Sequence, residues 1–166
     1  MKVCIVGPSG AGKSTIAMQL ARKFNVATHE FDHVYWDMTR AEFVKNSDES
    51  MAHAIGNILK QDCWFVEGAY DKRMYPLLVE CSLILRLEVS FSVRTIRLIK
   101  RFIHSTMTGK LPKETFRNTI DLIKFSYHFD QRLSKFLSGD MALSRKVVLV
   151  RDASSCIEVM RANGLC

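Results

Sequence analysis

Gly7-Pro8-Ser9-Gly10-Ala11-Gly12-Lys13-Ser14 has the spacing G-x-x-x-x-G-K-[ST], and its residue types suit one chemical task. Glycines let a backbone come close to a polyphosphate, so that successive N–H groups point into one concavity. A helix starting there adds the partial positive charge of its N-terminus. Lys13 can reach β- and γ-phosphates, and the Ser14 hydroxyl can take a position on Mg2+. The flanking sequence supplies the setting the motif needs. Val3-Cys4-Ile5-Val6 reads as a buried parallel strand, and Thr15 to Phe24 as a helix with Ile16, Leu20 and Phe24 on one face. Strand, loop and helix predict that Gly7 to Thr15 bind a nucleoside triphosphate, ATP with Mg2+. A glycine turn that binds nothing is the competing reading, and it does not explain the flanks.

Other strands and helices must position this loop. Apolar runs predict strands at Ala27–Phe31, Cys63–Val66, Ser82–Leu87 and Lys146–Val150. Thr39-Arg40-Ala41-Glu42 has a capping-box pattern, predicting a helix to about Lys60 with Val44, Met51, Ile55 and Ile58 inward. Ser155-Cys156-Ile157-Glu158 has a second, opening a terminal helix that stops near Asn163-Gly164. The alternation predicts one α/β domain over residues 1–166, a three-layer phosphate-loop NTPase fold whose five-stranded, mainly parallel sheet carries helices on both faces. In such sheets ligands lie outside the carboxyl ends of the strands. Asp32 follows the second strand and Glu67 closes the third, so both are expected to face the loop. Glu67 is placed on the metal side with Ser14, and Asp32 where it orients or deprotonates a phosphoryl acceptor.

The net charge of +7 is local. Residues 1–85 hold nine Lys/Arg against ten Asp/Glu, residues 86–135 eleven against four, and the remainder four against three. Within the basic segment, Ser90 can cap a helix over Phe91 to His104. Arg94, Arg97, Arg101 and His104 then share one stripe, with Ile96, Ile99 and Ile103 opposite. A polar stretch from Ser105 to Pro112 contains Gly109, and a long helix follows from about Pro112 with Phe116, Ile120, Ile123 and Tyr127 inward. Two basic helices about a loop predict a helical lid over about residues 90–138, supplying cations to the transferred phosphoryl group and excluding water.

The loop, Asp32 within Phe31-Asp32-His33-Val34-Tyr35-Trp36, the strand end Trp64-Phe65-Val66-Glu67-Gly68-Ala69-Tyr70, and the Arg97/Arg101 helix together resemble the adenylate-kinase-like topology-modulation proteins. These are small phosphate-loop proteins related to nucleoside and nucleotide kinases. The resemblance implies an ATP-binding kinase in which Arg97 lies against the adenine ring, Arg101 near the phosphates, and Arg40 by an acceptor phosphate. Adenylate kinases follow their third strand with Asp-Gly, an aromatic residue, Pro and Arg. The pair Pro-Arg is missing after Glu67-Gly68 here, which weighs against a nucleoside monophosphate as acceptor.

Composition bounds the remaining choices. No apolar stretch is long enough to span a bilayer and no signal segment opens the chain, so a cytoplasmic protein without a membrane partner is expected. Five cysteines lack metal-ligand spacing and point to a reducing compartment; Cys4 and Cys63 read as strand residues. Three functions stay open: a small-molecule kinase, which is favoured; a nucleic-acid-binding regulatory ATPase with weak turnover; and a nucleotide-binding module with little turnover. Oligomeric state leaves no mark in the sequence.

Overall fold

A computed structural model describes residues 1–40, 42–108 and 115–165. In chain order its elements are β1 (Lys2–Val6), α1 (Lys13–Phe24), β2 (Thr28–Glu30), α2 (Phe31–Tyr35), α3 (Asp48–Leu59), β3 (Trp64–Gly68), a 3-10 turn (Lys72–Met74) and α4 (Tyr75–Glu80). They continue with β4 (Leu83–Leu87), α5 (Phe91–Thr108), α6 (Phe116–Gly139), α7 (Met141–Ser144), β5 (Val147–Val150) and α8 (Ala153–Ala162). The strands form one sheet in the order β2-β3-β1-β4-β5, and every pairing is parallel. The expected "mainly parallel" sheet is wholly parallel.

Alternating side chains of the central strands enter two cores, because both sheet faces are covered. Cys4, Val6, Trp64, Val66 and Ile84 pack with α3, α4, α6 and α7, where Phe129, Leu133 and Leu137 are buried. Val3, Ile5, Phe65, Leu83 and Leu85 pack with α1 and α8 through Ile16, Leu20, Cys156 and Met160. The chain leaves β1 toward β2 and leaves β4 toward β5, so the connections diverge between these neighbours. The glycine loop after β1 lies at that switch point, beside the exit of β4 toward α5.

Several local expectations need correction. The Thr39 capping box opens no helix: α3 starts at Asp48, where the Ser47 side chain accepts the Ser50 N–H at 3.1 Å. Residues 35–37 instead pair with residues 44–46, with Trp36 bridging Lys45 antiparallel, Asp37 N–H donating to the Val44 carbonyl, and Asn46 N–H donating to the Tyr35 carbonyl. Val44 is exposed rather than inward. Asp32 does follow β2, but Phe31, expected in that strand, instead opens the short helix α2, in which Asp32 is the second residue. The terminal helix is capped by Asp152, with Ser155 as the third helical residue completing the box. Cys63 lies outside β3 and is exposed. Ile96, Ile99 and Ile103 face outward, as do Phe116 and Tyr127, whereas Arg94 and Leu98 are buried. Among the described residues α6 begins at Phe116, capped by Thr115; Gly109 and Pro112 lie outside them. No helix among the described residues is long and apolar enough to cross a membrane.

Candidate active site

The glycine loop turns through conformations that side chains resist. Gly10 has φ 81° and Gly12 φ 96°, and a Cβ on Gly10 would sit 2.8 Å from the Arg94 carbonyl oxygen. Gly12 then caps α1, whose first residue is Lys13. Ala11 N–H donates to the Pro8 carbonyl at 3.2 Å within the turn, while the amides of the first α1 residues have no earlier helical turn to donate to, which is the arrangement that collects an anion. Lys13 is buried, and its Nζ donates to the Pro8 carbonyl at 3.2 Å, curling back over the loop.

Glu67 reaches the same place from β3, whose residues Ile5↔Glu67 and Glu30↔Glu67 pair it with β1 and β2. It is 4% exposed, and the Ser14 Oγ donates to its Oε1 at 2.6 Å. Burial raises its carboxyl above the ordinary range, against the pull of Lys13 and the Ser14 hydrogen bond. Burial likewise lowers the Lys13 ammonium, while Glu67 and Asp32 hold it up and Arg101 pushes it down. Lys13, Ser14, Glu67, Asp32 and Arg101 are thus brought within one electrostatic neighbourhood. A buried hydroxyl–carboxylate pair beside an ammonium fits Mg2+ bound by one carboxylate, one hydroxyl and phosphate oxygens.

Asp32 stands at the rim, exposed, with the Tyr70 hydroxyl donating to its Oδ1 at 2.6 Å. Arg97 comes in from α5: its Nη1 donates to the carbonyls of Ala11 at 3.0 Å and Gly10 at 3.4 Å. Arg40 stays apart, ion-paired with Asp37 at 3.3 Å. Thr15 lies on the exposed side of α1.

Sequence reasoning missed a bracket behind the loop. Ser126 of α6 donates its hydroxyl to the Ser9 carbonyl at 3.0 Å, and Arg94 Nη1 donates to the Ser126 carbonyl at 3.2 Å. Asp130 pairs with Arg86 at 3.1 Å and with Arg94 at 3.5 Å. The acid four residues after Ser126 on the same helix was the available signal. A groove of about 400 Å3 between α3 and α4 is lined by Phe31, Met51, Ile55 and Arg73 but by none of Lys13, Ser14, Asp32 or Glu67.

The profile of the cytidylate kinase family matches residues 3–96, from β1 through the first turn of α5. The chain belongs to the cytidylate kinase family. Membership in the cytidylate kinase family supports a phosphotransferase of the small-molecule kinase type and leaves the acceptor open. The structure is similar to the shikimate kinase of Bacteroides thetaiotaomicron (TM-score 0.59, 16% identity, 99% of both chains). It is also similar to a gluconokinase from Sinorhizobium meliloti 1021 (TM-score 0.55, 17% identity, 96% of this chain and 87% of that one). At these identities the likeness is one of fold. A tRNA dimethylallyltransferase from Thermoanaerobacter sp. (strain X514) is 32% identical over 75 residues, 43% of this chain and 24% of that protein. The chain spans about a quarter of the length of the curated relatives it matches.

For this cytidylate kinase family member the two shifted groups predict a pH window for nucleotide binding. The expected roles of Glu67 on the metal side and of Lys13 on the phosphates require the first ionised and the second protonated. Affinity falls as pH drops through the raised Glu67 value, above 4.5, and again as pH climbs through the lowered Lys13 value, below 10.5. Calorimetry of Mg·ATP binding across pH checks this: Glu67→Gln loses the part of the acid limb that ATP's own titration does not explain. An acid limb identical in wild type and variant removes Glu67 from the metal side.

Proposed function

We propose that residues 1–166 work as one domain and transfer the γ-phosphoryl group of ATP to a small nucleoside- or nucleotide-like acceptor. The observation that carries the reading is the convergence of Lys13, the Ser14–Glu67 pair and Asp32 at the carboxyl ends of the central strands. Backbone amides of Ser9, Gly10 and Gly12 to Ser14 cradle the β- and γ-phosphates, and Lys13 exchanges its bond to the Pro8 carbonyl for phosphate oxygens. Ser14 and Glu67 hold Mg2+, which supplies charge neutralisation on the transferring group when bound. Asp32 orients the acceptor and takes its proton. Arg97 and Arg101, on α5, stabilise the charge that spreads over the phosphoryl oxygens, while α6, expected within a lid over about residues 90–138, is held in the core by Phe129, Leu133 and Leu137. The resemblance to topology-modulation proteins rests on these same motifs, and the free thiols fit a cytoplasmic setting.

The direction of the basic helix favours this over a nucleic-acid-binding ATPase. Arg94 is buried, and Arg97 turns to the loop carbonyls rather than outward to a phosphodiester backbone. The test is transfer of labelled γ-phosphate from ATP to an acceptor panel. Arg97→Ala and Arg101→Ala are each expected to lower kcat by about 10- to 100-fold, with the wild-type fold intact by circular dichroism. Unchanged rates in both variants would reduce α5 to a structural helix.

A further inference from the structure

Ser126 is among the few polar side chains that the fold buries, and its hydroxyl departs from the habit of its neighbours. Thr95, Thr106, Thr108 and Thr119 of α5 and α6 each donate to the carbonyl four residues back along the chain. Ser126 instead reaches out of α6 to the Ser9 carbonyl at 3.0 Å. Its own place is fixed from several sides. Arg94 Nη1 donates to the Ser126 carbonyl at 3.2 Å, and Asp130, one turn further on, lies 3.5 Å from Arg94 Nη2. Phe129 and Leu133 anchor the same stretch of α6 in the core. The loop is therefore held against a fixed support.

The effect of that contact follows from the planarity of the peptide. Across a trans peptide bond the C=O and the following N–H point in opposite directions. Turning the Ser9 carbonyl toward α6 turns the Gly10 N–H away from it. Arg97 acts in the same way two residues on, since its bond to the Ala11 carbonyl at 3.0 Å sets the Gly12 N–H. Between them the Ala11 N–H is taken by the Pro8 carbonyl. The Gly10 N–H meets no backbone acceptor among the described residues, the state of an amide kept for a ligand. Stiffness cannot come from residue 10 itself. A Cβ there would meet the Arg94 backbone, and a glycine at φ 81° turns readily in either direction. The plane has to be held from outside the loop.

Resting on the nucleotide-binding part of the kinase reading, we propose that Ser126 is a positioning residue for the phosphate loop. Its hydroxyl holds the Ser9–Gly10 peptide plane so that the Gly10 N–H is presented to a polyphosphate oxygen, and Arg94 and Asp130 keep Ser126 in place. Helix α6 thereby sets the affinity for the triphosphate without touching it. A plane left free to turn is competent for only part of the time, and apparent affinity falls by that fraction. Saturating ligand restores the competent plane, so the turnover number is spared.

Calorimetry on the full chain with Mg2+ tests this, with ATP and inorganic tripolyphosphate as matched probes, the second lacking a nucleoside. Ser126→Ala is expected to weaken both about tenfold and by the same factor, with kcat at saturating ATP within about twofold of wild type. Asp130→Asn, which leaves the hydroxyl present and loosens Arg94, is expected to weaken both by about threefold and keeps the test valid should the alanine variant not fold. The 15N–1H signal of Gly10 gives an independent mark. It is expected to be sharp in ligand-free wild type, broadened in Ser126→Ala, and sharpened there by saturating tripolyphosphate. A variant that melts earlier yet binds both probes as wild type does would make Ser126 a packing residue and overturn the inference, leaving the kinase standing. A loss confined to ATP would overturn it too, since the effect would then lie on the nucleoside side. Wild-type chain that binds neither probe would take away the nucleotide reading beneath it.

Discussion

Lys13→Ala lowers phosphoryl transfer by about 10³-fold or more, equivalent to about 4 kcal/mol of transition-state stabilisation. The size follows from where the ammonium sits. It is buried, its hydrogen bond goes to a neutral carbonyl, and the charges that hold it protonated are Glu67 and Asp32. Charge that develops on the transferring group gains far more from such a cation than from one in water. Alanine cannot span the distance. Steady-state turnover together with ATP calorimetry checks the effect, with far-UV circular dichroism confirming the sheet. A variant that keeps wild-type turnover would detach the loop from the chemistry.

Asp32→Asn is the second large effect, and its signature differs. Loss of a positioned base costs about 10²- to 10⁴-fold in kcat, whereas ATP affinity stays near wild type because Asp32 stands at the rim. Asparagine keeps the size and can still accept from Tyr70, so the Tyr70 contact should survive. The pH profile carries an independent mark. Asp32 raises the Lys13 and Glu67 values, and removing its charge lowers both. Both limbs of the binding window therefore move toward acid. A single-turnover rate equal to wild type would take Asp32 out of the reaction.

The phosphate loop was legible because its chemistry is contiguous: Gly7 to Ser14 hold every group that one short backbone turn needs. Glu67 was legible from a topological rule, since a residue ending a central parallel strand faces the switch point. The arginine stripe of α5 followed from helical period, yet period does not say which stripe turns inward. Here carbonyls of Gly10, Ala11 and Ser126, with Asp130, draw the guanidinium groups in, and the isoleucines are left outside. The Thr39 capping box failed for the reverse reason. Its local hydrogen bonds lost to a longer pattern, in which the Asn46 side chain donates to the Val34 carbonyl and Trp36 meets Phe43. That competition is non-local.

The bond from Ser126 to the Ser9 carbonyl closes a stretch of 117 residues. A ribosome must therefore release most of the chain before the peptide plane after Ser9 is pinned. Until then the glycine turn is a flexible tether with the right letters and an unfinished shape. A triphosphate encountered at that stage meets a site that α6 has yet to brace.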